Sequence, residues 1–201
     1  MPRNTPSEMA LMEPGGKERG AMLFAALEHA SLSGVLKALE LGASPRAKNN
    51  YGCTALVWAA KNGDLEAAKA LLDAGAPVDE PSQSGHRPLA VAAGAGSIEC
   101  VRLFAFKGAD LDARSGSGES AAMAAAWCGS AECAMELLGR GASALDRLGH
   151  PIDYPKLALD GGSAKASEAL GRWFLSKSEK ADLEKQCRRD CFSAAQSSVR
   201  L

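Results

Sequence analysis

Three histidines, six cysteines and a scatter of carboxylates are the side chains here with the chemistry to act as nucleophile, general base or metal ligand. Catalysis needs such groups to converge on one point. His29, His86 and His150 are spread too widely along the chain to meet, being about two structural units apart from one another. Cys187 and Cys191 are four positions apart and would share a helix face, yet no second pair of ligands completes the four that zinc normally takes. Gly94-Ala-Gly96 and Gly116-Ser-Gly118 do not continue into the Gly-Lys-Ser/Thr pattern that brings a cation to a bound phosphate. The sequence therefore predicts no enzyme, no cofactor and no metal.

Composition narrows the remaining classes. With 23 Lys and Arg against 24 Asp and Glu, the net charge of -1 gives no broad basic surface for nucleic acid or for a membrane. The longest apolar run, Ala121 to Cys128, is too short to span a bilayer. The polar N-terminus carries no signal-peptide core, so a cytoplasmic location with reduced thiols is expected. Hydrophobic residues make up 46% but aromatics only 5%, and many of the rest are alanine. Such a core must bring backbones close together, which suits packed helices and not strands.

The elements that would carry any site announce themselves by period. Gly-Ala recurs at Gly42, Gly75, Gly108 and Gly141, an unvarying step along the chain. Gly63, Gly96, Gly129 and Gly162 form a second series with the same step, and Gly52, Gly85 and Gly118 a third that breaks at Pro151. Between the markers lie a short helix from about Thr54 to Lys61 and a second from about Leu65 to Asp73, with Leu65, Ala68, Leu71 and Leu72 on one face. Glycine at φ > 0 would end each. Helices this short are marginal alone and must bury their faces on the next pair, so the array stacks as a solenoid.

Thr54-Ala-Leu-Val-Trp-Ala-Ala, Arg87-Pro-Leu-Ala-Val-Ala-Ala and Leu71-Leu-Asp-Ala-Gly-Ala76 resemble the ankyrin repeat over roughly residues 19 to 174. The fold expected is all-α: an ankyrin-repeat solenoid of about five stacked helix pairs with a C-terminal helix. Units are placed at about 19–48, 49–81, 82–114, 115–147 and 148–175, after a flexible leader at 1–18 and before a helical cap or tail at 176–201. The fifth unit is worn, with Pro151 in place of the loop glycine. Its second helix would end at Trp173-Phe174, and a capping box, Ser176-Lys-Ser-Glu179, would open a new helix. That helix would line up Leu183, Cys187 and Cys191. No unit keeps the family's Thr-Pro-Leu-His segment whole, so a weaker array is expected for want of its loop hydrogen bonds.

The resemblance implies a protein-protein interaction scaffold or adaptor. It would grip a protein partner through its concave loop and first-helix face. Carried over by register, the partner-binding positions are Lys48, Asn50, Tyr51, Lys61, Asn62, Gln83, Ser84, His86, Arg114, Ser117, Glu119, Trp127 and Cys128. Tyr51, Arg114 and Trp127 have the character of anchors, and Gly94 and Ala95 would leave a shallow pocket beside Trp127. In the alternative reading the C-terminal amphipathic helix engages the partner and the repeats support it.

Overall fold

The structure, a computed structural model, describes residues 16–146, 148–179 and 181. The expectations for the leader at 1–15 and for Leu183, Cys187 and Cys191 fall outside the described residues. Helices come in pairs: α1 (Gly16–Glu28) and α2 (Leu32–Glu40), α3 (Ala55–Asn62) and α4 (Leu65–Asp73), α5 (Pro88–Gly94) and α6 (Ile98–Phe106). The series continues with α7 (Ala121–Trp127) and α8 (Ala131–Gly139), then α9 (Tyr154–Asp160) and α10, which runs over 164–179. Among the described residues there is no strand, only two isolated bridges in the turns.

Local chemistry starts several of the helices and stops most of them. Thr54, Asp64, Ser120 and Asp153 accept the backbone N–H three positions on, which satisfies one amide left over at each N-terminus. The glycines with positive φ are the members of the three glycine series, together with Gly149. Pro151 therefore does not cost the fifth unit its turn glycine: Gly149, two positions earlier, takes the role at φ 84°. The loop before that turn is two positions shorter than in other units and the stretch after it two positions longer, so the helix-capping residue Asp153 keeps its repeat register with Ser120.

First helices stack in the order α1, α3, α5, α7, α9, and second helices in the order α2, α4, α6, α8. Alanine pairs at Ala59-Ala60, Ala92-Ala93 and Ala125-Ala126 are fully buried and let the inner row pack closely. Leu71, Phe104, Leu137 and Leu170, one in each of units two to five, are fully buried and form the column between the two rows. Cys100 and Cys133 fill the same layer, where burial pushes both thiols up, Cys133 to about 11. At the far end the fully buried Tyr154 stacks on Phe174 with ring centroids 6.0 Å apart and donates its hydroxyl to Ser143 O at 3.2 Å.

Two expectations about the ends are corrected. α10 does not stop at Phe174: no glycine or proline follows it, and Ser176 lies inside the helix, its hydroxyl donating back to Trp173 O. The capping-box reading fails for that reason, and the unit boundary drawn at 175 runs through a continuous helix. At the other end, α1 begins at Gly16, inside the segment expected to be a flexible leader.

Candidate functional site

The turns that project from the stack are built by one device repeated four times. Asn49, Ser82, Ser115 and Asp146 each accept, through the side chain, the backbone N–H four positions on, at Cys53, His86, Glu119 and His150. The backbone closes the same turns, with Gly52, Gly85, Gly118 and Gly149 donating to the carbonyl of the turn's first residue. The N–H groups of His150 and Leu148 hold the Asp146 carboxyl below the usual carboxylate range. Neighbouring turns are then joined: Gln83 N–H donates to Gly52 O at 2.9 Å.

Arginine carries the longer links. Arg87 stands at a capping position without capping; its Nη1 donates to Asp79 O at 2.8 Å and its Nε to Arg114 O at 3.2 Å. Arg114 in turn donates to Gly118 O at 3.0 Å and to Leu145 O in the next loop at 2.9 Å. These bonds stand where the absence of the Thr-Pro-Leu-His network leads one to expect a deficit. Arg114 is half-buried in this role and is a clamp between loops, not a free anchor.

The other positions expected to meet a partner divide. Lys48 pairs with Glu80 of the next unit at 3.3 Å, and Asn62 donates to Leu27 O of the preceding one at 3.3 Å. Ser84 and Ser117 share hydrogen bonds with Ser82 and Ser115 while remaining exposed. Asn50, Tyr51, Gln83, His86, Glu119, Trp127 and Cys128 are exposed. Tyr51 stands 81% exposed at its turn tip and Trp127 51% exposed at the end of α7. Lys61 lies over the Trp58 ring at 5.3 Å, which puts both on one helix face, three positions apart.

That pair marks a row that the sequence reading passes over. Trp58, Val91, Ala124 and Leu157 hold one repeat position on the inner helices and are all half-buried. The row beside it is Lys61, Gly94, Trp127 and Asp160. Leu148, 80% exposed, occupies in the shifted fifth turn the place that Tyr51 holds in the second. The surface is apolar along its floor and polar at its ends. Its histidines stay apart, in units one, three and five, and among the described residues no group of three His, Cys, Asp or Glu is placed to hold a metal. No described helix is long and apolar enough to cross a membrane.

A family model described as ankyrin repeats matches residues 22–115 in three copies. Residues 22–115 are ankyrin repeats. The match covers units one to three, and units four and five continue the same helix pairs and stacking. Ankyrin repeats are in general protein-protein interaction modules and typically non-catalytic. No curated protein matches the chain.

Proposed function

We propose that this chain is a non-enzymatic scaffold or adaptor that binds a protein partner across the surface made by its turn tips and inner-helix face. The observation that carries the reading is Trp127. It is a large amphipathic side chain left half-exposed on a face whose backbone is fixed by stacking on both sides. Such a residue loses little freedom on binding and buries a large area, which is what interface anchors do. Tyr51 at its turn tip adds a second such group. A cytoplasmic setting accords with thiols that are unpaired among the described residues.

The test is affinity capture with the full chain, then titration of the purified partner against wild type, Trp127→Ala and Tyr51→Ala. Each substitution weakens binding by about 2 kcal/mol, while thermal melting stays unchanged for Tyr51→Ala and falls only slightly for Trp127→Ala, whose ring is half-covered. If instead a chain ending at residue 181 loses the partner and both substitutions leave affinity untouched, the contact belongs to the C-terminal segment and the proposal fails.

A further inference from the structure

The inner-helix face has a direction as well as an apolar floor. Its outer row runs Lys61, Gly94, Trp127 and Asp160, one residue per unit, from a cation at one end to a carboxylate at the other. Both charged side chains are exposed, and neither enters an ion pair among the described residues. Between them the row has a gap. Gly94 is the last residue of α5, and packing does not demand its bareness: a Cβ there would meet Cys128 Sγ at 3.5 Å and Ala124 O at 3.9 Å, both ordinary contacts. A helical glycine costs roughly 1 kcal/mol against alanine, so this one lowers stability and leaves the row without a side chain at that place. By register, half-buried Val91 lies one turn back on the same helix and half-buried Ala124 at the matching place in the next unit, while Trp58 and Trp127 belong to the units on either side of Gly94.

From this arrangement we infer that the groove takes one extended segment of its partner in a fixed direction. A large apolar side chain seats over Gly94 between the two tryptophans, an acidic side chain meets Lys61, and a basic side chain meets Asp160. The inference rests on the concave-surface reading above and specifies its partner. Stacked helices lie about 10 Å apart and an extended chain advances about 3.3 Å per residue. Each unit therefore corresponds to about three residues of the bound segment. The acidic residue falls about three positions to one side of the apolar one, and the basic residue about six to the other.

The test uses a random dodecapeptide library displayed on phage, panned against the full chain. The best enriched peptide is then made with a fluorescent label and titrated. Enriched sequences carry the acidic, apolar and basic residues at those spacings. Gly94→Leu, which fills the gap, weakens the labelled peptide at least about tenfold without lowering the melting temperature. Gly94→Ala, if Leu proves too large to fold, weakens it less and raises that temperature. Exchanging the charges in Lys61→Glu/Asp160→Lys weakens the peptide about tenfold, and a peptide with its two charges exchanged recovers the loss. An enriched set without the pattern, an empty selection, or indifference to both the gap and the charge exchange overturns the inference. The two levels separate cleanly. Peptide binding lost in Trp127→Ala but indifferent to Gly94→Leu and to the charge exchange sinks only the directional groove. Binding untouched by Trp127→Ala and Tyr51→Ala sinks the concave surface itself.

Discussion

Ala30 is the one described residue other than glycine with positive φ, at 48°. It stands one full repeat before Gly63, at a position where units two to five all use glycine at φ between 68° and 90°. A Cβ in this region costs roughly 1–2 kcal/mol. Ala30→Gly therefore stabilises the chain by about 1 kcal/mol in denaturant unfolding, and a fall in stability would show that the turn is not held as described. The arginine clamps make the opposite prediction. Arg87 supplies two charge-assisted bonds to carbonyls in two different loops. Arg87→Ala costs about 2–3 kcal/mol, and Arg87→Lys recovers only part of it, because one ammonium on a flexible stem cannot reproduce the guanidinium fork. Equal melting of all three would mean that these bonds merely replace ones to water.

The helix pairs are legible in the sequence because one cause repeats at a fixed step: capping residue, apolar face, left-handed glycine. Thr54 and Asp64 begin their helices, and Gly63 and Gly75 end them, as local chemistry requires. What repetition cannot encode is a compensated shift. The fifth turn slides two positions towards the N-terminus and returns before Asp153, so Pro151 falls in the glycine's register and Gly149 hides outside it. Arg114 escapes the sequence reading for a related reason, since its carbonyl partner at Leu145 lies in that shifted loop. Tyr51 and Trp127 are legible as exposed from register alone, whereas the half-buried row from Trp58 to Leu157, beside the row that ends at Asp160, emerges only when the inner helices are side by side. Ser176 shows local signal losing to context: a capping sequence starts nothing in a helix that nothing has stopped. Between second helices, Glu136 accepts from Arg140 Nε at 2.7 Å and from Arg102 of the preceding unit at 3.4 Å. The Arg140 hydrogen bond, joined by Arg102, lowers the Glu136 carboxyl below its ordinary value. A lowered folded-state value adds stability that is present above the ordinary carboxylate range and lost as pH falls through the shifted value. Denaturant midpoints measured from neutral to acid pH should thus fall less for Glu136→Gln than for wild type; identical slopes would leave the α6–α8 link without energetic weight.

A stack in which each unit touches only its neighbours distributes its stability as local terms and interfaces. The contacts here run from unit to adjacent unit along both rows, so damage at one end should stay near that end. Tyr154 offers the sharpest place to inflict it. The ring is fully buried between unit four and α10, it stacks on Phe174, and its hydroxyl reaches back to Ser143 O. Tyr154→Phe removes the hydrogen bond alone and costs about 1 kcal/mol. Tyr154→Ala removes the ring and leaves a cavity, at about 3–5 kcal/mol. That loss is large against the stability of one helix pair but acts on only one interface of the array. Hydrogen exchange on Tyr154→Ala should then show α9 and α10 opening first and α7 and α8 partly deprotected. α3 to α6 should keep the protection they have in the wild-type chain, as expected for units with their own opening free energies. A uniform loss of protection from α1 to α10 would mean that the five units unfold as one body, and that the rigidity ascribed to the proposed binding face is a property of the whole chain.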